Sequence, residues 1–493
     1  MEHTDIIARV YPVLDMRDAA KNAIQGSRLY VPALHQPQQP AQRGLFERRP
    51  MEPANDTDFP GDHGLPFIEL RLSDIPRTHH GIVFGRDPQS DVVLPEQYGA
   101  SYHHFALTFD AAKRLIVMGF DTLVGTEVTY DNDGGGKRRN FQWIVSGGSR
   151  LSSVKAIIVT VNKGLKFRIV AAKHNTSSPE YIEQVNRFCQ GTATAGELFE
   201  GLNFPRRSDT ELPTGVDTPG QGQEPIYLRK KIGQGAFGVV IHFWNVSTGA
   251  MFVTKQPSQL AVQGNRVDRQ AWQNEANIMG RLDHPHIVRF LGSVMQPWPV
   301  LRLEFVPGLS LEHHGNISAT ESLSILRQCL SALKYLHGMT TPIIHRDIKP
   351  ANILVHSRSS TQILVKFGDF GLSKESCDPS TMCGTPKYIA PEMYENMRPR
   401  EPGHGQRLGY SPAVDIWSLG VVIYEQMGNA IVSDFRADYE ERPNKLKRFL
   451  LRAMVVVAPN SRLSARDCYE RVLELSNTIE GGEAPDKSLL ALD

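Results

Sequence analysis

The chain has 493 residues, of which 40% are hydrophobic and 22% charged, so it has material for about two to four domains with buried cores. Its 54 basic and 53 acidic side chains leave a net charge of +1, a balance that argues against direct nucleic-acid binding by the protein as a whole. Cys189, Cys329, Cys377, Cys383 and Cys468 sit singly, without metal-ligand or redox-pair spacing, and read as reduced thiols of an intracellular protein of the nucleus or cytoplasm. The acidic opening MEHTDIIARVYPVLDMRDAA is no secretory signal, and no run approaches the ~18 apolar residues a membrane span needs.

Residues 1–60, rich in Pro, Gln and Arg, have no sustained period and read as a mostly disordered arm whose first turns are the only candidates for helix. Its Arg48-Arg49 pair is too short for a targeting signal. From 61 to 172 the texture becomes PFIELRLS, HHGIVFGR, HHFALTFD, RLIVMGF, GTEVTY, FQWIV, KAIIVTV and KFRIVAA, short strands parted by turn residues. That pattern predicts an all-β sandwich or barrel, with YDNDGGGKRRN as a loop.

Within this region Gly85-Arg86 closes an apolar strand, and Ser101-Tyr102-His103-His104 follows 15 residues after Arg86. The layout resembles the forkhead-associated domain, a sandwich that binds phosphothreonine peptides through loops at one end. The resemblance implies that Arg86 supplies a charge-assisted fork to phosphate and Ser101 a hydroxyl bond. His104 would brace the loop. A third motif departs: Asp121-Thr122-Leu123-Val124-Gly125-Thr126 has Val124 where the family has the asparagine that holds the peptide backbone. The competing reading is a sandwich that has lost phosphopeptide binding, with Arg86 in a structural ion pair.

Residues 173–224 read as a linker in which EYIEQVNRFCQG and AGELFEGLNF can form short helices before a Pro-, Gly- and Thr-rich tether. Thr214-Gly215-Val216-Asp217 in that tether is a candidate ligand for the protein's own sandwich once phosphorylated.

Residues 225–476 carry the densest chemistry. Gly233-Gln234-Gly235-Ala236-Phe237-Gly238 lies between two predicted strands, which fits a lid over phosphates and argues against a dinucleotide fold. A strand ending at Lys255 follows, then a helix offering Glu275, then HPHIV, then a strand VLRLEFVPG and a long amphipathic helix, SATESLSILRQCLSALKYLHG. His345-Arg346-Asp347-Ile348-Lys349-Pro350-Ala351-Asn352 comes next, and Asp369-Phe370-Gly371 after it. Gly384-Thr385-Pro386-Lys387-Tyr388-Ile389-Ala390-Pro391-Glu392 and Asp415-Ile416-Trp417-Ser418-Leu419-Gly420 complete the set.

In order and spacing these stretches resemble the serine/threonine protein kinases, and with the first region they resemble the fungal checkpoint-type kinases with a forkhead-associated domain. The implied architecture is multidomain: an all-β sandwich followed by a bilobal α+β kinase fold. The resemblance makes Asp347 the base, Lys349 the group that stabilises the transferring phosphoryl, Lys255 the α/β-phosphate ligand held by Glu275, and Thr385 a bridge between Asp347 and Lys349. ATP would lie among Ile232, Gly233, Gly235, Gly238, Val240, Val253, Lys255, Leu354 and the backbones of Glu304 and Val306, with Leu303 as gatekeeper. Asn352 and Asp369 would hold Mg2+. Arg462 is the expected partner of Glu392. Arg346 implies control by phosphorylation of the activation segment, with Thr381 and Ser380 favoured over Ser373 and Ser376.

The implied partners are protein substrates, phosphothreonine-bearing proteins and a brief homodimer during trans-phosphorylation, with no nucleic acid or membrane. The rival readings are a pseudokinase scaffold that acts by binding alone and a tyrosine kinase. The stretch from Asp415 to Arg462 is shorter than the family pattern, Val455–Ala458 reads as part of a buried element, and the acidic tail 477–493 reads as loose.

Overall fold

The computed structural model describes residues 5–13, 19–33, 65–147, 151, 154–191, 225–235, 238–373, 385–397, 411–427 and 445–480. They form two compact units, one of residues 1–229 with 243–250, the other of 230–242 with 251–493.

The first unit is built on two sheets. One contains β1 (Ile6–Pro12), β2 (Tyr30–Val31), β3 (Phe67–Arg71), β8 (Glu127–Tyr130), β10 (Ile157–Asn162) and β11 (Leu165–Ala171) in the order β2-β3-β1-β11-β10-β8. The other contains β4 (Ile82–Gly85), β5 (Val92–Val93), β6 (Phe105–Phe109), β7 (Leu115–Gly119) and β9 (Phe141–Ile144) in the order β5-β4-β6-β7-β9. The sheets share one apolar core: Phe84 stacks on Phe105 at 4.4 Å and meets Phe167 of the other sheet edge-on at 5.5 Å. The Tyr130 hydroxyl donates to the Ile144 carbonyl across the sheets at 2.8 Å. The eight strand segments read from the sequence all form strands here.

The arm reading fails for residues 6–12 and 19–25. β1 is a central strand, pairing Ala8 with Ala171 on one side and Val10 with Ile68 on the other, and α1 (Ala19–Gln25) buries Ala19, Ala20, Ala23 and Ile24. The strand escapes a local reading because its partners lie some 60 and 160 positions away and its burial does not alternate residue by residue. Residues 34–64, with Arg48-Arg49, lie outside the described residues.

The helix expected after the strands forms as α2 (Pro179–Gln190). The Ser178 hydroxyl caps it by accepting from the Tyr181 N–H, Pro179 starts it, and Tyr181, Val185 and Phe188 are buried in the first unit's core. The second helix candidate and Thr214 lie outside the described residues. Residues 243–250 group with the first unit. Leu228, Trp244 and Val246 belong to the first unit's apolar core, and the Ile144 N–H donates to the Val246 carbonyl at 2.9 Å.

The second unit opens on a five-stranded sheet, β12 (Tyr227–Gly235), β13 (Gly238–Asn245), β14 (Met251–Gln256), β15 (Phe290–Val294) and β16 (Val300–Glu304), ordered β12-β13-β14-β16-β15. Helices α3 (Gln259–Gln263) and α4 (Arg269–Met279) follow β14, and Asp268 caps α4 by accepting from the Ala271 N–H at 3.0 Å. The larger part is helical, with a two-stranded ribbon, β17 (Ile353–Arg358) and β18 (Ile363–Phe367).

Its axis is α5 (Ala319–His337), started by a capping box in which Ser318 and Glu321 satisfy each other's backbone N–H groups. The three-and-four apolar spacing of α5 buries Leu323, Ile325, Leu326, Leu330, Leu333 and Leu336 in the unit's main core. Helices α6 (Pro391–Met397), α7 (Ala413–Gln426), α8 (Lys445–Phe449) and α9 (Ala465–Glu480) complete it. Among Val455–Ala458, Val455 is buried but Val457 is 70% exposed, so the apolar run is only half interior. The Val456 and Val457 carbonyls instead accept from the Arg462 guanidinium. The tail from 481 lies outside the described residues.

Candidate active site

The cleft of the second unit is assembled from strand ends and loops around buried charge. Lys255, near the end of β14, donates to Glu275 Oε1 at 2.6 Å and to Asp369 Oδ1 at 2.7 Å. Its side chain is only 7% exposed, and the indole of Trp272 lies 5.7 Å from Nζ. Burial disfavours the Lys255 ammonium, but the Asp369 and Glu275 carboxylates outweigh it and hold its pKa above the ordinary lysine range. Burial also opposes ionisation of Asp369, yet the adjacent ammonium holds its pKa low. At Glu275 burial, with Asp369 nearby, wins and pushes the pKa up.

Asp347, Lys349, Asn352 and Thr385 lie together in the second unit. Lys349 Nζ lies 2.9 Å from Asp347 Oδ2 and donates to Thr385 Oγ1 at 3.0 Å, while Thr385 Oγ1 sits 3.4 Å from Asp347 Oδ1. Asn352 Nδ2 donates to the Asp347 carbonyl at 2.8 Å and to Oδ2 at 2.9 Å, which leaves the amide oxygen of Asn352 as its acceptor. His345 Nε2 lies 3.1 Å from the Gly368 carbonyl, and its ring packs 4.8 Å from that of the buried Phe370. Arg346 and Asp369 hold positive φ angles of 68° and 56°, a left-handed backbone that costs a non-glycine residue roughly 1–3 kcal/mol and persists only where surroundings enforce it.

Asp415 is among those surroundings, and its role was not read from the sequence. Its carboxylate, buried beneath the loop, accepts from the His345 N–H and the Arg346 N–H, each at 2.9 Å, and from His337 Nε2 at 2.9 Å. Burial opposes its charge, but these donors hold its pKa low. The signal was an acid in the first turn of a mostly apolar, buried helix, which burial alone would forbid without partners. Glu392 and Arg462 form the expected bidentate pair, at 2.6 and 2.7 Å.

The nucleotide-side residues line up less uniformly. Val253 pairs with Leu303 across β14 and β16, and Val253 and Val306 are buried. Leu354 is half-buried, and Ile232 is 48% exposed. The Glu304 N–H is engaged by the Arg289 carbonyl at 2.9 Å, and its side chain by Lys366 at 2.8 Å. A Cβ at Gly238 would meet the Gln256 carbonyl at 2.3 Å, so the fold itself demands glycine there, whereas a Cβ at Gly235 would meet no protein atom within 4 Å. Ser373 is buried, with its hydroxyl toward the His345 carbonyl, and so is not an accessible phosphorylation site. Ser376, Ser380, Thr381, Cys377 and Cys383 lie outside the described residues.

In the first unit, Arg86 and Ser101 are brought together by backbone bonds, Arg86 N–H to the Ser101 carbonyl at 3.0 Å and Asp87 N–H to the Tyr102 carbonyl at 3.1 Å. A Cβ at Gly85 would stand 2.0 Å from the Tyr102 oxygen, so only glycine allows this approach. His104 is fully buried, and its Nδ1 accepts from the Ser101 N–H at 3.1 Å. Burial lowers its pKa to about 4. Its Nε2 lacks a partner in good hydrogen-bond geometry, though the nearby Gly125 backbone slightly favours the charged form. The Arg86 guanidinium donates to Glu96 at 2.7 Å, the ion pair of the competing reading, but the two side chains are 46% and 80% exposed.

Comparison with known proteins agrees with the second unit's geometry. The protein kinase domain model matches residues 227–473. A probable myosin light chain kinase of Dictyostelium discoideum is 31% identical over 277 residues, covering 51% of this chain and 83% of the relative. The ovarian-specific serine/threonine-protein kinase Lok of Drosophila melanogaster is 36% identical over 306 residues, covering 56% of this chain and 61% of the relative. The serine/threonine-protein kinase RAD53 of Saccharomyces cerevisiae is 28% identical over 360 residues, 69% of this chain and 40% of the relative, so that likeness runs beyond the kinase-domain match. The chain belongs to the protein kinase family. It is a serine/threonine protein kinase. No helix among the described residues is long and apolar enough to cross a membrane.

Proposed function

We propose that this kinase phosphorylates serine and threonine on proteins to which its sandwich recruits it by binding phosphothreonine, in signalling of the checkpoint type. The observation that carries recruitment is the backbone pairing of Arg86 with Ser101, with Gly85 making room and His104 bracing from beneath. The similarity to RAD53 beyond the kinase domain supports a shared two-part layout.

In the cleft, Asp347 accepts a hydrogen bond from the substrate hydroxyl and takes its proton as the oxygen attacks the γ-phosphate. Lys349, tied to Asp347 and Thr385, neutralises charge on the transferring group. Lys255 binds the α/β-phosphates, and Glu275 aims it. Glycine at 235, which the fold does not require, lets the hairpin backbone approach the triphosphate.

The donor set fits Mg2+: the amide oxygen of Asn352, whose Nδ2 donates to Asp347, and the Asp369 carboxylate are hard oxygens, and magnesium characteristically uses one or two carboxylates with substrate phosphates. When bound, the ion neutralises charge on the β- and γ-phosphates. Ser380 and Thr381 remain the activation-segment sites to which Arg346 points, through a brief homodimer; wild-type activity in the Ser380→Ala, Thr381→Ala double variant would rule this out.

The recruitment reading is tested by screening the full chain against a phosphothreonine-peptide library beside Arg86→Ala. Phosphate-dependent capture that disappears in the variant is expected. Equal capture of phosphorylated and unphosphorylated peptides would overturn it.

A further inference from the structure

The second unit holds a groove of about 880 Å³ whose walls include none of Lys255, Asp347, Asn352 or Asp369. It lies between the N-terminal half of α5, the turn of the β17–β18 ribbon and α9. Leu323 of α5, Leu364 of the ribbon and Leu473 of α9 give it apolar walls. Tyr469, Leu473 and Ser476 stand four and three positions apart, so one face of α9 forms its side.

The charge of the groove is one-sided. Arg358 donates to Glu321 through Nε at 2.6 Å and Nη2 at 3.1 Å, so the acid on the wall is already neutralised. Arg327 is exposed and takes no hydrogen bond or ion pair among the described residues. Burial, with the charges of Lys366 and Arg327, lowers the pKa of the wall residue His286, which registers the same positive potential.

α9 ends at Glu480, four residues past Ser476. The thirteen residues that follow, outside the described residues, carry Glu483, Asp486 and Asp493 against Lys487, with the apolar run Leu489-Leu490-Ala491-Leu492. We propose that residues 481–493 fold back into this groove, setting Leu489, Leu490 and Leu492 against its leucine walls and Glu483 and Asp486 toward Arg327. Charge and apolarity match on both sides. Reach is ample: from Glu480 back to the level of Tyr469 is about 17 Å along the helix, and thirteen extended residues span about 43 Å. A separate partner would need affinity of its own. A tethered segment starts at an effective concentration on the order of 1 mM, so modest complementarity fills the groove.

The ribbon that lines the groove at its turn has Asn352 just before β17 and Asp369 two residues after β18. Gln328, also on the groove wall, binds the ribbon's Ile363 carbonyl and Val365 N–H at 2.8 and 2.9 Å. Filling the groove therefore steadies, from its far end, the ribbon that carries both metal-side groups.

The test puts the photo-reactive residue benzoylphenylalanine in place of Leu490 in the full-length protein and maps its cross-links by mass spectrometry. The same probe is placed in Arg327→Glu, and in Arg327→Glu combined with Glu483→Lys and Asp486→Lys. Cross-links within one chain to α5, the β17–β18 turn and α9 are expected. Arg327→Glu should cut their yield about fivefold at an unchanged melting temperature, since the guanidinium is exposed and unpartnered among the described residues, and the reversed charges should restore it. Without the probe, amide exchange at 359–364 should be faster in Arg327→Glu than in wild type. Cross-links that fall on a second copy or elsewhere on the chain overturn the assignment. So does a yield unchanged by Arg327→Glu or not restored by the reversal, or exchange at 359–364 that stays the same.

Discussion

Two charged clusters in this chain are built in opposite ways. In the cleft, Lys255 is 7% exposed and bound to two carboxylates, and Asp347 is held by Lys349, Asn352 and the Thr385 hydroxyl. At the sandwich's loop end, Arg86 is 46% exposed and its carboxylate partner 80% exposed. A buried cluster fixes geometry because each group left alone would be costly to desolvate. An exposed one costs little either to form or to break, so Arg86 can exchange Glu96 for a ligand oxyanion. The first is suited to aligning a reaction and the second to reversible capture.

The sharpest way to break this contrast is at Asp347. Asp347→Asn keeps size and removes the proton acceptor, and single-turnover phosphoryl transfer should slow by about 10³-fold. A loss below tenfold would remove the base role. Arg462→Ala comes next. It strips the bidentate partner from Glu392 and three backbone carbonyls, with the arginine side chain fully buried. A cost of about 3 kcal/mol in denaturant unfolding of the kinase unit is expected, and a value near zero would show that the pair is tolerant like the exposed one.

His104 tests the sandwich from below. Its pKa is lowered to about 4 by burial, from an ordinary value near 6.5. The folded state therefore resists protonation that the unfolded chain accepts. The contribution is full above ~6.5 and is lost as pH falls from there toward about 4, amounting to about 2 kcal/mol after allowance for relaxation. Urea titrations across that range should show this slope, and His104→Gln should flatten it. The smallest effect belongs to Glu96→Gln. Stability should change by less than about 0.5 kcal/mol, while phosphopeptide affinity rises modestly because Arg86 is released. A large destabilisation would make the Arg86–Glu96 pair structural and end the contrast.

The cleft was legible in the sequence because its chemistry is local in the chain: Asp347, Lys349 and Asn352 lie within six residues, and only Lys255, Glu275, Asp369 and Thr385 come from elsewhere. Asp415 was harder, since its meaning lies in backbone amides some 70 positions away. The strands β3, β4 and β6–β11 of the sandwich announced themselves by short apolar runs and turn residues, but β2 and β5, two residues each, did not, nor did β1, whose place depends on pairing with β3 and β11. Glu96 was invisible for the same reason that its pair is weak, being one exposed acid among many. The division of 225–250 between the two units was equally hidden, since Trp244 and Val246 read as ordinary strand residues.

The left-handed torsions at Arg346 and Asp369 carry a consequence for engineering. An asparagine or glycine at 346 would sit there more comfortably than arginine, by on the order of 1 kcal/mol. A screen that rewards heat resistance alone would therefore be drawn toward position 346 and would discard the buried arginine next to Asp347. Selections for robustness in this kinase need a turnover readout alongside them.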